Sequence, residues 1–147
     1  MKTPLIAVAA TLLFSVATLA DAPKPNATVL KPVKVSALDA HGPVFKSKSA
    51  VTDNGPDGPA IDVPMLKSRD GHFTAGLYSA GPSDVPIESY GEDEFMYFLE
   101  GSVKLTSADG SVLEIKAGEG ATIPKGWKGR WTTSGYKKYY VTYEGGK

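Results

Sequence analysis

Glu92-Asp93-Glu94-Phe95-Met96-Tyr97-Phe98-Leu99-Glu100-Gly101 and, further on, Gly118-Glu119-Gly120-Ala121-Thr122-Ile123-Pro124-Lys125-Gly126 decide how this chain folds. Their skeletons are Glu94-x6-Gly101 and Gly118-x5-Pro124-x-Gly126. Each is a short run of β-branched, aromatic and apolar residues that ends at glycine. Glycine reaches positive φ without a Cβ clash, so Gly101, Gly118 and Gly126 are placed where strands reverse. Pro124 caps a strand end, where a missing N–H costs little.

Outward from these skeletons, the chain from Gly71 onward is a series of β-rich runs separated by turn formers. The predicted strands are His72–Ser79, Glu94–Glu100, Val103–Ser107, Val112–Lys116, Ala121–Pro124, Trp127–Thr133 and Lys137–Tyr143. Gly81-Pro82-Ser83-Asp84, Ala108-Asp109-Gly110 and Ser134-Gly135 separate them, and Asp-Gly favours a tight hairpin. Strands at roughly ten-residue spacing, with no helical period, predict an all-β sandwich or barrel.

Residues 21–64 differ in texture, with prolines from Pro23 to Pro64 and the turn-forming run Asn54-Gly55-Pro56-Asp57-Gly58-Pro59. Proline fixes φ and removes a ladder donor, which excludes a long helix or a central strand. The segment is predicted to be an extended N-terminal arm, with Val33–Leu38 and Ile61–Leu66 as edge strands on a domain spanning 65–147. Ahead of the arm, Lys2, an apolar run from Leu5 to Leu19 and the small-residue exit Ala17-Thr18-Leu19-Ala20 describe a signal peptide over 1–20. That run is too short for a spanning helix. Export to the periplasm or beyond is expected, with no membrane span after cleavage.

Composition narrows the function. With no cysteine there is no disulfide, thiolate nucleophile or zinc–thiolate site. Sixteen basic residues against sixteen acidic ones argue against an electrostatic nucleic-acid partner. There is no Gly-rich phosphate loop leading into a helix, and no G-x-S-x-G nucleophile motif.

The two skeletons resemble the paired motifs of the cupin β-barrels, which run G-x5-H-x-H-x3-4-E-x6-G and G-x5-P-x-G-x2-H-x3-N. Glu92-Asp93-Glu94-Phe95, Leu99-Glu100-Gly101, Ala117-Gly118-Glu119, Ile123–Gly129, Trp131 and Lys137-Lys138-Tyr139-Tyr140 are similar to one branch, the (S)-ureidoglycine aminohydrolase-like cupins. That branch includes small stand-alone bacterial cupins and the ethanolamine-utilisation cupin. The likeness runs from about Gly71 to Tyr143. It implies a double-stranded β-helix, a jelly-roll-like barrel, with Glu94 pointing inward.

The histidines of the motifs are absent. Counting within the skeletons, their positions fall on Glu88, Tyr90 and Gly129. The resembled aminohydrolases hold manganese with a Glu, two histidines and a Gln. Matched to that ligand set instead, Glu88 corresponds to its Glu while Tyr90 and Glu94 stand at its histidine positions, and the whole chain has two histidines, His41 and His72. The predicted barrel therefore has no histidine metal centre. The alternative is an oxygen-rich site of Glu88, Glu94 and His72 for a divalent ion such as manganese or zinc.

Side chains alternate faces along a strand. With Glu94 inward, Met96 and Phe98 follow it, while Phe95, Tyr97 and Leu99 face outward under the arm or a partner. On the last strand Lys138, Tyr140 and Thr142 form the inward set. The predicted ligand-binding constellation is Glu88, Tyr90, Glu94, Met96, Trp131, Lys138 and Tyr140. A carboxylate in an apolar barrel needs a partner, and Lys138 is the candidate. Two readings are open: a purely structural Glu94–Lys138 pair, or a pocket that orients a small polar or anionic metabolite. If the pocket is catalytic, Glu94, Lys138 and Tyr90 are the candidates for acid/base chemistry of the aminohydrolase or isomerase kind. The Lys125, Lys128 and Arg130 cluster is a solvated rim or an anion site. The outer aromatic faces leave a homodimer open.

Overall fold

A computed structural model describes residues 31–55 and 57–145. The predicted signal peptide and the first part of the predicted arm lie outside the described residues. Contacts divide the chain after Pro32, and every strand and the candidate site belong to the unit from Val33 onward.

Among the described residues eight strands form one antiparallel sheet system: β1 Val51–Asp53, β2 Ala60–Lys67, β3 Phe73–Ala80, β4 Ser83–Ile87, β5 Asp93–Ser107, β6 Val112–Lys116, β7 Gly120–Ile123 and β8 Gly129–Tyr143. The ladder order is β1-β2-β3-β8-β5-β6, with β4 on β8 and β7 on β5. The all-β barrel predicted from the turn skeletons is the fold found.

Two strands carry it. β5 and β8 are each 15 residues long and pair with one another along almost their whole length. The sequence predicts each as two strands broken at a glycine, and each runs through instead. The physical reason is visible at Gly101. It has φ +70°, and a Cβ there would lie 2.0 Å from the Gly135 carbonyl oxygen. Two glycines in contact let both strands bend at one place without ending. The register shifts near this bend confirm a bulge. β8 then pairs with β4 through its first half and with β3 through its second.

Three further predictions are corrected. Val33–Leu38 forms no strand; residues 31–36 lack regular structure, and Ser36 caps a short helix, α1, over Ala37–His41. A 3₁₀ turn over Pro43–Lys46 follows, with proline in its first turn. Over these two short elements the segment is helical rather than extended. Ile61–Leu66 is a strand, but it sits between β1 and β3 rather than at the edge. Pro64 is tolerated there because the register shifts between Pro64 and Leu66, a bulge that needs no proline N–H. Ser83-Asp84 belongs to β4 rather than to a turn, with Pro86 accommodated because β4 pairs only with β8.

Alternation divides β5 cleanly. Glu94, Met96 and Phe98 are buried, while Phe95 and Tyr97 are exposed. The inner core gathers Met96, Phe98, Val103, Leu105, Ile115, Ile123, Trp131 and Tyr136. A second core on the outer face packs Ala40 and Phe45 of the folded arm against Val63 and Leu77, with Leu99 and Tyr139 beside them. His41, at the end of α1, ties this arm to the barrel: its Nδ1 lies 2.6 Å from Glu100 Oε1. No helix among the described residues is long and apolar enough to cross a membrane.

Candidate functional site

The long strands set the site. In the β5–β8 ladder Phe98 faces Lys138, Met96 faces Tyr140 and Glu94 faces Thr142. Even offsets keep all of these side chains on the inner face, so Lys138 reaches along the sheet to Glu94. Its Nζ donates to Glu94 Oε1 at 2.6 Å, and both side chains are about 95% buried. The second oxygen of Glu94 accepts from the Tyr90 hydroxyl. Burial pulls the Lys138 ammonium below the ordinary lysine value, and Glu94 partly opposes the shift. Burial pushes the Tyr90 phenol well up, aided by the neighbouring Glu94 charge.

Tyr90 lies in the loop between β4 and β5, and two backbone bonds place it. Its N–H donates to the Trp127 carbonyl at 2.8 Å, and its own carbonyl accepts from Gly126 at 2.7 Å. The turn after Pro124 therefore clamps the loop that carries the phenol. Lys125 N–H adds a bond to Asp93 at 2.9 Å. The second skeleton holds the first in register.

Lys138 also stands over aromatic faces. Its Nζ is 5.3 Å from the Trp131 ring centre, 5.6 Å from Tyr78 and 5.7 Å from Tyr136. Tyr90 stacks on Trp131 with centroids 6.3 Å apart. Tyr140 completes the wall by passing over Gly76 to donate to Asp62 at 2.8 Å. A Cβ at Gly76 would lie 2.8 Å from that hydroxyl, so the contact requires glycine.

These groups line a cavity of about 670 Å³ inside the barrel. Of the predicted constellation, Tyr90, Glu94, Trp131, Lys138 and Tyr140 meet there. Met96 is fully buried in the core beneath and does not line it. Glu88 is exposed and also outside the lining, because the chain leaves β4 at Ile87 and turns outward. Sequence reasoning missed Asp62, Tyr78, Glu92 and Tyr136, which do line it. The first two sit on β2 and β3, outside the motif strands; Tyr136 lies at the β8 bend, where the sequence predicts a strand break.

Among the cavity-wall groups without a hydrogen-bond partner among the described residues, the Tyr136 hydroxyl and the Trp131 indole N–H belong to the most deeply buried side chains. Both residues are more than 90% buried, yet no sealed-off polar atom lacks a partner among the described residues. The unpaired groups are therefore reached from the cavity they line. Trp127, by contrast, donates its indole N–H to Ser107 at 3.1 Å.

A divalent metal does not fit this arrangement. Both oxygens of Glu94 are already bonded, one to an ammonium and one to a phenol. Lys138 supplies beside Glu94 the positive charge that a metal would bring. Among the described residues no three His, Asp or Glu side chains converge, and the alternative set of Glu88, Glu94 and His72 is not brought together. Arg130 of the basic cluster is committed to Asp84, through Nε at 2.7 Å and Nη2 at 2.8 Å.

A family model described as the EutQ-like cupin domain matches residues 67–140, half of the chain. The chain belongs to this family. A search of curated proteins finds no match. Among solved structures, this cupin is similar to the putative ethanolamine utilization protein Q of Salmonella typhimurium. The two are 24% identical over 62% of this chain and 74% of that one, with a TM-score of 0.52. A structural-genomics protein of unknown function from Rhizobium leguminosarum is 22% identical over 79% of this chain and all of that one, with a TM-score of 0.55. The ectoine synthase of P. lautus is 15% identical over 69% of this chain and 72% of that one, again at 0.55. At these identities the likeness is one of fold.

Proposed function

We propose that this cupin is an exported protein that binds a small polar metabolite in its barrel cavity, without a histidine metal centre or another cofactor. The observation that carries the reading is the unpaired Tyr136 hydroxyl and Trp131 N–H on the wall of a cavity of about 670 Å³. Volumes of roughly 300–1,000 Å³ are usual for small-molecule sites. A barrel serving only as scaffold could close such space and pair such groups within the protein; this one keeps both open to an occupant. The Glu94–Lys138 pair then serves as a fixed, charged floor against which a polar ligand is oriented.

A thermal-shift screen of a metabolite library tests the reading. Hits are expected to raise Tm in the parent protein and to lose most of that shift in Tyr136→Phe or Trp131→Phe. Shifts that survive both substitutions at full size would put the ligand elsewhere. The apolar run and small-residue exit of residues 1–20 support export, and an exported protein beginning at Asp21 is expected on N-terminal sequencing. The exposed Phe95, Tyr97 and Tyr143 on the outer face support a homodimer as its assembly.

One observation favours a second reading, an enzyme of the aminohydrolase or isomerase kind on a carbonyl or amide. Burial depresses the Lys138 pKa beside a carboxylate, as acid/base groups require. Product analysis on any thermal-shift hit separates it from a binder.

A further inference from the structure

We propose that the ligand of this cavity is a small organic cation, an ammonium-bearing molecule with a hydrogen-bond acceptor at its other end. The inference rests on the cavity being the ligand site, and it fixes the ligand's charge. Five carboxylates line the cavity (Asp53, Asp57, Asp62, Glu92 and Glu94) against two lysines (Lys67 and Lys138), three negative charges in excess. Glu94 is satisfied by Lys138. None of the other four makes a salt bridge among the described residues. Asp62 accepts only from the neutral Tyr140 hydroxyl, and Asp53 from the Gly55 N–H. An anion entering this space meets repulsion; a cation meets attraction from carboxylates whose charge no side chain offsets.

The field of these carboxylates reaches the wall. The Tyr78 phenol is pushed up first by burial and then by Asp53, Asp62, Glu94 and Asp57. The wall itself suits a cation. Lys138 already shows an ammonium seated over Trp131, Tyr136 and Tyr78, and Tyr90 and Tyr140 extend the aromatic surface toward Asp62 and Glu92. A second, independent feature points to the same occupant's other end. The Trp131 N–H is only a donor, and the Tyr136 hydroxyl is free to donate, so together they call for an acceptor such as a hydroxyl or carbonyl oxygen. The ammonium sits among the carboxylates and the acceptor sits at the indole and phenol.

Isosteres that differ in charge test this directly. Choline and 4-aminobutan-1-ol are the cations, 3,3-dimethylbutan-1-ol and pentan-1-ol their neutral counterparts, and 3,3-dimethylbutanoate the anion. Binding is followed by the two tryptophan indole N–H signals in an NMR titration of the mature protein. Trp127, held by Ser107, serves as the internal control. A cation is expected to move the Trp131 signal alone, and to bind at least about tenfold more tightly than its neutral counterpart. Raising the salt concentration should weaken that binding. Glu92→Gln and, separately, Asp62→Asn should each weaken it by about three- to tenfold. The amide oxygen introduced by Asp62→Asn can still accept from Tyr140, so the wall is kept while the charge is lost. If the neutral alcohols or the anion move Trp131 at concentrations as low as the cations do, the cation assignment is overturned and the cavity remains a binding site. If no probe moves Trp131 and the metabolite screen is also blank, the cavity reading falls, and the cation assignment with it.

Discussion

Lys137 and Lys138 are neighbours on β8, and each makes an ion pair with a glutamate of β5. Lys138 Nζ is 2.6 Å from Glu94, and Lys137 Nζ is 2.8 Å from Glu100. By distance the two pairs are near twins. By environment they are opposites, since the inner pair is about 95% buried whereas the outer side chains are 25% and 41% exposed. One step along a strand changes the face, so two adjacent lysines perform different tasks. The inner one neutralises Glu94 on the wall of the barrel cavity. The outer one donates to the His41 carbonyl, stands 5.9 Å from the Phe45 ring centre, and helps to hold the folded arm.

The largest expected effect lies inside. Lys138→Met removes the cation beside a buried carboxyl and leaves Glu94 bonded only by Tyr90, and should cost about 3–5 kcal/mol in denaturant unfolding. The double variant Glu94→Leu with Lys138→Met should recover most of that loss, because replacing a whole buried pair with apolar groups is often neutral or stabilising. A single substitution costing under about 1 kcal/mol would mean that the pair is wet, and the contrast between the two faces would collapse. Lys137→Met should cost less than about 1 kcal/mol by the same measurement, as exposed pairs do. A loss comparable to that of Lys138→Met would show that the arm latch, rather than the barrel pair, dominates stability.

The contrast also marks how far the sequence could be read. Alternation from Glu94 is enough to assign Met96 and Phe98 inward and to pair Glu94 with Lys138, because a buried carboxylate has few possible partners. It fails where glycine behaves in two ways. At Gly118 and Gly126 positive φ ends a strand; at Gly101 it bends one that continues, and only contact with Gly135 across the ladder distinguishes the cases. The acidic side of the cavity is illegible for a related reason. Asp62 sits on β2, within a proline-rich stretch that looks unfit for an inner strand, and the bulge that makes it fit depends on pairing with β3. Local pattern exposes what a strand does to itself. Cross-strand contact decides the rest.

Asp84 and Arg130 provide the smallest test of the inside–outside rule. The pair bridges β4 and β8 on the exposed side, with two bonds from the guanidinium and one from Thr132 at 2.9 Å. Those bonds, the Arg130 contact foremost, hold the Asp84 carboxyl at about 2, below the ordinary 3.8. The folded value is depressed, so the contribution to stability is complete above about pH 4 and is lost as the pH falls through 2. Carbon-detected NMR titration should find Asp84 ionising near 2 in the parent protein and nearer 3.8 in Arg130→Gln. Because the pair is solvated, that substitution should barely move the unfolding midpoint at neutral pH. A large change in stability there, or no change in the Asp84 titration, would show that geometry rather than burial ranks the ion pairs of this barrel.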